Sequence, residues 1–178
     1  LTVGINEVLF SEQTPYQKVE ILETDSWGRL MTIDGMVMLS ERDEFVYHEM
    51  LTHVALFAHP KPQRVLIIGG GDGGTAREAM RHPSVEQVDL VEIDETVVRA
   101  SQEFMPAVGD WDNPKLNVIF EDGIQFVKDI DQPYDVIIVD GSDPVGPAEG
   151  LFENEFMQAC HDGLTGNGVL TAQTESPW

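Results

Sequence analysis

The first forty residues alternate between apolar and polar positions with a period of two, and tight turns interrupt the alternation. Three runs carry this pattern, YQKVEILETD, RLMTID and MVMLSE, and Trp27-Gly28 and Asp34-Gly35 lie between them. A period of two is typical of β-strands with one buried face, and Asp-Gly between such strands is typical of a hairpin. The pattern therefore predicts a small antiparallel β module built from two or more hairpins.

A helical pattern follows in the segment ERDEFVYHEMLTHVALFAH. Ser40 is the predicted N-cap, and acidic residues fill the first turn, where they are favourable. The predicted apolar face consists of Phe45, Met50, Leu51 and Val54. We expect the helix to end at His59-Pro60-Lys61-Pro62, because proline does not continue a helix.

From Arg64 on, continuous apolar runs alternate with helical patterns. The runs are RVLIIG, QVDLVEI, LNVIFED, YDVIIVD and GVLTAQT, and the clearest helical segments are ETVVRASQEFM and LFENEFMQACHD. Apolar strands separated by helices predict a parallel sheet covered on both faces. We therefore expect an α/β protein with an N-terminal β-hairpin domain, residues 1–42, and a Rossmann-like domain, residues 43–178. Because the sequence stops at Pro177-Trp178 directly after the fifth strand, we expect the C-terminal part of the sheet to be missing.

A glycine loop, GGGDGG, follows the first of these strands directly. Gly69, Gly71 and Gly74 match the spacing G-x-G-x-x-G, in which backbone N–H groups approach a bound nucleotide closely. Asp72 departs from this pattern, because a carboxylate repels a pyrophosphate at the following helix N-terminus. The loop therefore favours a ligand with positive charge, although the glycine spacing alone leaves an NAD-dependent oxidoreductase open.

Carboxylates follow the first four predicted parallel strands. They are Asp72, Glu92 with Asp94, Asp122, and Asp140 with Asp143. Because such sheets bind ligands outside the carboxyl ends of their strands, we expect these groups to share one rim. Glu92 follows the glycine loop by about 20 residues, where a carboxylate binds ribose hydroxyls, and so indicates a nucleoside. Asp122-Gly123 suits the amino group of an adenine, and a plain turn is the alternative.

The pair Asp140 and Asp143 lies in the glycine- and proline-rich stretch DGSDPVGPAEG, which has the composition of a lid. Two neighbouring carboxylates raise each other's pKa when they are buried, so we predict a raised pKa for Asp140. Together with Asp72 they suit a pocket for ammonium groups. An acidic surface loop and an Mg²⁺ site are the alternatives that the spacing leaves open. His48 and His53 do not fall on one helix face, so no metal-binding histidine pair is predicted.

The chain is strongly acidic, with 32 acidic and 10 basic residues and a formal net charge of −22. This charge argues against nucleic acid and anionic membranes as partners. We interpret most of it as a generally acidic surface, as in salt-adapted proteins. No apolar stretch approaches the roughly 20 residues of a membrane span. The single cysteine, Cys160, excludes an internal disulfide, fits a reducing cytosol, and is expected to be buried.

Six motifs, in order, resemble the polyamine aminopropyltransferases, the spermidine synthase family: YQKVEI, DGMVMLSERDEFVYHEM, VLIIGGGDGG, VEID, EDG and DGSDPVGPAE. The resemblance implies a small N-terminal β domain joined to a methyltransferase-like Rossmann domain. It implies transfer of an aminopropyl group from decarboxylated S-adenosylmethionine, a co-substrate rather than a cofactor, to putrescine, which gives spermidine and methylthioadenosine. It further implies a cytoplasmic homodimer or higher homo-oligomer. The alternatives are an S-adenosylmethionine-dependent methyltransferase and a catalytically silent member of the same fold.

The resemblance also implies roles for individual residues. Those on the donor nucleoside are Gln17, Gly69, Gly71, Glu92, Asp122, Gly123 and Pro147. Those on the amine or the aminopropyl tail are Tyr47, His48, Asp72, Asp140, Asp143 and Gln173, and Asp140 is the implied proton acceptor. Gly141 departs from the family, where this position is often not glycine, and is expected to loosen the loop. The sequence leaves the amine acceptor open among putrescine, cadaverine, agmatine and spermidine.

Overall fold

A four-stranded antiparallel sheet forms the N-terminal part of the computed structural model, which describes residues 3–142 and 146–174. Its strands lie in chain order: β1 (Ile5–Gln13), β2 (Lys18–Thr24), β3 (Arg29–Ile33) and β4 (Met36–Ser40). Asp34 and Gly35 connect β3 to β4 with φ angles of 50° and 78°. Positive φ at both central residues is what a tight two-residue hairpin requires. The predicted β module is confirmed, and β1 adds a strand to the three predicted runs.

The second sheet has five parallel strands. These are β5 (Arg64–Gly69), β6 (Gln87–Glu92), β7 (Leu116–Phe120), β8 (Tyr134–Asp140) and β9 (Leu164–Ala172), in the order β7-β6-β5-β8-β9. The chain proceeds from the central β5 to one side through β6 and β7, and then to the other side through β8 and β9. Ligands of such sheets bind where the strand order reverses, at the carboxyl ends of the strands. The predicted α/β fold with a Rossmann-like sheet is confirmed.

Five helices connect or precede these strands. They are α1 (Glu44–Ala58), α2 (Gly74–Arg81), α3 (Glu95–Phe104), α4 (Gly123–Phe126) and α5 (Asn154–Asp162). Two 3₁₀ segments, Val127–Asp129 and Gly146–Phe152, complete the helical structure of the described residues. The second of them takes up the start of the helix predicted over LFENEFMQACHD, so that α5 begins only at Asn154. In the described ranges, no helix has the length and apolar character needed to cross a membrane.

Alternate residues of the parallel strands pack on opposite faces of the sheet, as the pleat of a strand dictates. Val65 and Ile67 pack against α1 and α2, whereas Leu66 and Ile68 belong to the core on the side of α5. Cys160 is fully buried in that second core, as predicted. A third core joins the N-terminal sheet to α3, because apolar residues of β2 and β3 pack against that helix. This third core holds the N-terminal sheet close to the carboxyl ends of β5 and β6.

The start of α1 differs from the prediction. Ser40 is the last residue of β4, and its hydroxyl donates to the Asp43 carboxylate at 2.7 Å instead of capping a helix. Asp43 occupies the N-cap position without a capping hydrogen bond from its side chain. The predicted N-cap at Ser40 is therefore wrong, because the hairpin strand continues through it.

The buried face of α1 also differs from the prediction. Of the four residues predicted to form it, Leu51 is buried, but Phe45, Met50 and Val54 are 48%, 64% and 60% exposed. The buried face instead carries His48, Thr52, Ala55 and Leu56 in addition to Leu51. The apolar residues of α1 lie on most of its sides, so the hydrophobic pattern alone did not identify the face that is buried. The orientation of α1 places a histidine, which is polar, in the interior.

Candidate active site

A cavity of about 250 Å³ opens at the carboxyl ends of the parallel strands. The predicted site residues that line it are Gln17, Tyr47, His48, Gly69, Gly71, Asp72, Glu92, Asp122, Gly123, Asp140 and Gln173. Asp143 and the side chain of Pro147 lie outside the described residues. The fold therefore brings together carboxylates that follow four different strands, as the sequence predicted.

Apolar side chains form much of the remaining wall. Met31, Ile33 and Val37 come from the N-terminal sheet and its hairpin, and Ile124 and Leu151 come from segments that follow β7 and β8. The sequence analysis missed them, because in a strand or helix pattern they are indistinguishable from core residues. An apolar wall beside a few convergent polar groups is typical of small-molecule sites.

The glycine loop brings the end of β5 against the end of β8. Gly69 has a φ of +82°, and a Cβ atom there would lie 2.2 Å from the carbonyl oxygen of Asp140. The N–H group of Gly70 donates to the same oxygen at 2.9 Å. A side chain at Gly69 is thus excluded both by backbone conformation and by space. This contact fixes the main chain that carries the Asp140 carboxylate.

Asp140 is the last residue of β8, and both of its carboxylate oxygens accept hydrogen bonds. The hydroxyl of Tyr47 donates to Oδ1 at 2.5 Å, and the hydroxyl of Thr75 donates to Oδ2 at 2.6 Å. Burial and the nearby Asp72 raise the pKa of Asp140 above its ordinary value, and the two hydroxyls oppose this rise. The direction agrees with the prediction, although the described partner is Asp72 and not Asp143. A carboxylate with a raised pKa is a stronger proton acceptor near neutral pH.

Asp72, in the glycine loop, pairs with His48 of α1. Its Oδ1 atom lies 3.2 Å from His48 Nε2 and accepts the N–H group of Gly74 at 2.7 Å. Burial would lower the pKa of His48, but Asp72 and then Glu44 raise it to about 10. In turn, burial would raise the pKa of Asp72, but His48 holds it below its ordinary value. Asp72 is therefore a carboxylate with a cationic partner and not the isolated anion that the loop sequence indicated.

Glu92 ends β6 and is buried beside the glycine loop. Its Oε1 atom accepts the N–H group of Asp94 at 3.0 Å. A Cβ atom at Gly71 would lie 2.7 Å from Oε2, so the glycine lets this carboxylate approach the loop. Burial raises the pKa of Glu92 to about 7. A hydroxyl pair that donates to this carboxylate would stabilise its ionised form.

Asp94 plays a different part from the one its position after β6 predicted. It lies outside the set of cavity-lining residues and caps α3 by accepting the N–H group of Thr96 at 3.0 Å. Its other oxygen accepts from the hydroxyl of Thr14 at 2.8 Å and from the Gln17 amide at 3.2 Å. Asp94 therefore fastens the N-terminal sheet to α3 and holds Gln17 at the cavity.

Asp122 combines a structural contact with a place at the cavity. Its Oδ1 atom accepts the N–H group of Ile124 at 2.8 Å and thereby caps the short helix α4. Gly123 is buried, and a Cβ atom there would lie 2.5 Å from Ile68. This helix cap agrees with the plain turn that the sequence left open as the alternative to an adenine contact. Asp122 also lies in the cavity wall, where its second carboxylate oxygen is available to a ligand.

One cluster in the described ranges has the composition of a metal site. His48, Asp72 and Asp140 each offer a ligand atom, and these atoms lie within 4.8 Å of one another. A metal requires the neutral imidazole, whereas both ring nitrogens of His48 face carboxylates and its pKa is raised. The cluster is thus better suited to an ammonium group, which adds donors to two carboxylates that already have two partners each, Tyr47 and Thr75 on Asp140 and His48 and Gly74 on Asp72.

The sequence analysis missed two residues in contact with the predicted site, Thr75 and Glu44, and a third, Arg77, that contacts one of them. Thr75 binds Asp140, Glu44 binds His48, and Arg77 binds Glu44. Thr75 directly follows the glycine loop, and Glu44 precedes His48 by four residues, a spacing at which helical side chains meet. No adjacency or spacing in the sequence indicates Arg77, because only the packing of α1 on α2 brings it to Glu44.

A parallel sheet with a glycine loop, a buried carboxylate after β6 and an acidic cavity defines a nucleoside-binding domain of the Rossmann type. A spermine/spermidine synthase domain matches residues 44–178, and a spermidine synthase tetramerisation domain matches residues 1–41. The chain belongs to the spermine/spermidine synthase family.

Individual relatives agree with this assignment. The polyamine aminopropyltransferase of Alkaliphilus metalliredigens is 49% identical over 99% of this chain, and that of Bacillus subtilis is 46% identical over 100% of it. The chain spans 63% and 65% of the length of these two curated relatives. A spermidine synthase solved in complex with the transition state analogue AdoDATO superposes with a TM-score of 0.97. It is 42% identical, and the match covers 100% of this chain and 61% of that one.

Proposed function

We propose that the protein transfers the aminopropyl group of decarboxylated S-adenosylmethionine to putrescine, which gives spermidine and methylthioadenosine. The observation that carries this proposal is the arrangement of Asp140, Asp72 and Glu92 in one cavity. Two of these carboxylates suit ammonium groups and the third suits a ribose. The names of the relatives, and the analogue bound to the solved spermidine synthase, support the same reaction.

The donor nucleoside would occupy the side of the cavity next to β6. Glu92 would accept the ribose hydroxyls, and Asp122-Gly123 would receive the adenine beside the apolar wall. Gln17, Gly69, Gly71 and Pro147 complete the proposed nucleoside contacts. Decarboxylated S-adenosylmethionine acts here as a co-substrate, and the proposal includes no further cofactor.

The acceptor amine would lie between the donor and Asp140, with Tyr47, Asp143 and Gln173 as further amine contacts. His48, whose two ring nitrogens face Glu44 and Asp72, would act on the amine through Asp72 instead of by direct contact. A neutral amine attacks the methylene carbon next to the sulfonium sulfur. As the C–N bond forms, the C–S bond breaks, and its electron pair remains on sulfur as the thioether of methylthioadenosine. The Asp140 carboxylate takes the proton that the new ammonium group loses. Alignment of the two substrates supplies much of the remaining acceleration.

The choice of donor tests this proposal most directly. We expect methylthioadenosine release when the decarboxylated donor is mixed with putrescine, and tighter binding of this donor than of S-adenosylmethionine in calorimetry. The extra carboxylate of S-adenosylmethionine would meet Asp72 and Asp140, so repulsion contributes to the selectivity. Cadaverine, agmatine and spermidine in the same assay identify the acceptor.

Each alternative function predicts a different result in these measurements. Tighter binding of intact S-adenosylmethionine would favour a methyltransferase, and binding of NADH would favour an oxidoreductase. Absence of transfer to every amine in the panel would favour a catalytically silent member of the fold.

The raised pKa of Glu92 predicts a pH dependence for nucleoside binding. In the free protein Glu92 has a pKa of about 7. Because ribose hydroxyls donate to the carboxylate, they bind the ionised form, and the proton must leave on binding below that pH. The affinity for methylthioadenosine should therefore fall by up to about tenfold per pH unit below the pKa of Glu92, and should level off above it. Calorimetry between about pH 5 and pH 8 measures this profile.

Methylthioadenosine is the appropriate probe because it carries neither the sulfonium nor the ammonium group of the donor, so Asp72 and Asp140 do not contact a cation. The control is Glu92→Gln, which keeps the shape and should bind more weakly with a flat profile. An equally flat profile for the unchanged protein would contradict the assignment of Glu92 to the ribose.

The domain division and the assembly also remain proposals. We propose a division at residues 42 and 43, and a homo-oligomer, a homodimer or larger, that uses the N-terminal sheet. The match of residues 1–41 to a tetramerisation domain supports such an assembly. A cytoplasmic location stays a prediction from the sequence.

A further inference from the structure

A row of four charged side chains, of which His48 is buried and the other three are half-buried, leads from the surface of α2 to the amine side of the cavity. Arg77 donates to both oxygens of Glu44 at 3.0 Å, and Glu44 Oε2 lies 2.5 Å from His48 Nδ1. The opposite nitrogen, His48 Nε2, lies 3.2 Å from Asp72 Oδ1. Arg77 is itself anchored, since its Nη1 atom donates to the carbonyl oxygen of Val108 at 2.6 Å. The four charges alternate in sign from Arg77 to Asp72.

The geometry around His48 determines its protonation. A neutral imidazole has one N–H group, so it leaves one nitrogen with a lone pair. Both nitrogens of His48 face carboxylate oxygens, and the side chain is 1% exposed, so solvent does not supply the missing donor. Only the imidazolium satisfies Glu44 and Asp72 together. Gly74 makes room for this ring, because a Cβ atom there would lie 2.3 Å from it.

Within residues 3–142 and 146–174, the ion pair with His48 and the hydrogen bond from the N–H group of Gly74 both end on the same oxygen of Asp72, Oδ1. The second oxygen remains for a bound ammonium group. The imidazolium thus does two things for Asp72: it fixes the orientation of the carboxylate, and it offsets the repulsion that Asp140 exerts on the ionised form. Without a cation here, two neighbouring carboxylates would share a proton.

We propose that Glu44, held by Arg77, is a positioning residue that keeps His48 doubly protonated and thereby keeps Asp72 ionised and oriented toward the amine of the donor. The part that concerns the donor rests on the proposed function, whereas the protonation of His48 does not. Neither Glu44 nor Arg77 lines the cavity. Their effect on a ligand is therefore transmitted through His48.

The groups around His48 come from four elements. Glu44 and Tyr47 belong to α1, Asp72 to the glycine loop, and Asp140 to the end of β8, and Arg77 of α2 acts through Glu44. The carboxylates together raise the pKa of His48 to about 10 against the effect of burial. Glu44 makes one of the two direct carboxylate contacts with the ring nitrogens of His48, so its removal destabilises the doubly protonated ring.

The test is a titration of His48 in the ligand-free protein by NMR of its ring nitrogens. In the unchanged protein both nitrogens should carry protons at neutral pH. In Glu44→Gln, which keeps the shape and removes the charge, the titration midpoint should fall by about one to three pH units. The matched control is Glu49→Gln on the same helix, because Glu49 is exposed and its loss removes the same charge. This control should leave the midpoint of His48 unchanged.

The kinetic counterpart is the KM for the decarboxylated donor. Glu44→Gln should raise it by about tenfold above neutral pH, with a smaller change in kcat, and Glu49→Gln should not.

A His48 midpoint in Glu44→Gln equal to that of the unchanged protein would overturn the inference, and so would a singly protonated His48 in the unchanged protein at neutral pH. If Glu44→Gln does not fold, Arg77→Lys replaces it and should lower the midpoint by a smaller amount. Absence of any transfer, with the midpoint shifted as expected, counts against the proposed function alone.

Discussion

Replacement of Asp140 by Asn is expected to lower kcat by about 10²–10⁴-fold while the affinity for the donor changes little. The amide of Asn matches the carboxylate in size but does not accept a proton from the attacking amine. The nucleoside contacts assigned to Glu92 and Asp122 lie at other strands and stay in place. Methylthioadenosine release at saturating donor and putrescine measures kcat, and calorimetry with the decarboxylated donor measures the affinity.

The matched control for this change is Asp131→Asn. Asp131 is an exposed aspartate ahead of β8, and the same substitution there should leave both kcat and donor affinity unchanged. Retention of more than about a tenth of kcat in Asp140→Asn would remove Asp140 from the role of proton acceptor. A parallel loss of donor binding would instead indicate that the substitution disturbs the glycine loop.

The strands and the rim carboxylates were predictable from sequence because each depends on local information. β5 to β8 are apolar along most of their length, and Asp72, Glu92, Asp122 and Asp140 occur where those strands end. In a parallel sheet all carboxyl ends meet at one edge, so four local observations combine into a site without any knowledge of packing. The same reasoning failed for Asp94, which also follows β6, because its side chain caps α3 and binds Gln17 instead.

The electrostatic state of the site was not predictable in this way. The glycine loop indicated an isolated anion at Asp72, whereas the structure pairs it with His48. That pairing depends on the rotation of α1, which buries His48 and exposes Phe45 and Met50. Hydrophobic pattern favoured the opposite orientation. The contacts of His48 with the loop and of Glu44 with Arg77 form only after α1 packs on α2, so no sequence spacing reports them.

In the proposed reaction, the pairing of Asp72 with His48 also changes how the donor would be selected. A bare carboxylate attracts any cation, but an Asp72 with one oxygen bound to His48 and Gly74 presents its other oxygen in a fixed direction. Specificity for an ammonium group at one place then depends on orientation as well as charge. The raised pKa of Asp140 and the lowered pKa of Asp72 suit these neighbouring carboxylates to the two different roles that we propose, Asp140 as proton acceptor and Asp72 as cation ligand.

The glycine loop acts on the Asp140 carboxylate through the main chain of that residue, and Gly69→Ala tests this coupling. An alanine at a φ of +82° is strained, and its Cβ atom would lie 2.2 Å from the carbonyl oxygen of Asp140, a backbone atom that no side-chain rotation can move. We expect a loss of about 2–5 kcal/mol in the free energy of unfolding, the sum of the backbone strain and the overlap. Turnover should fall with it, because the end of β8 must shift and carry Asp140 away from Tyr47 and Thr75.

Gly35→Ala separates the two causes. Gly35 lies in the hairpin between β3 and β4 with a φ of +78°, and no atom lies within 4 Å of a Cβ built there. This variant should therefore lose only the strain, about 1–2 kcal/mol, and should retain turnover. Denaturant unfolding and methylthioadenosine release, measured on both variants, distinguish backbone conformation from the contact with Asp140. Equal losses of stability in the two variants, with turnover intact in Gly69→Ala, would show that β5 and β8 are not coupled through this glycine.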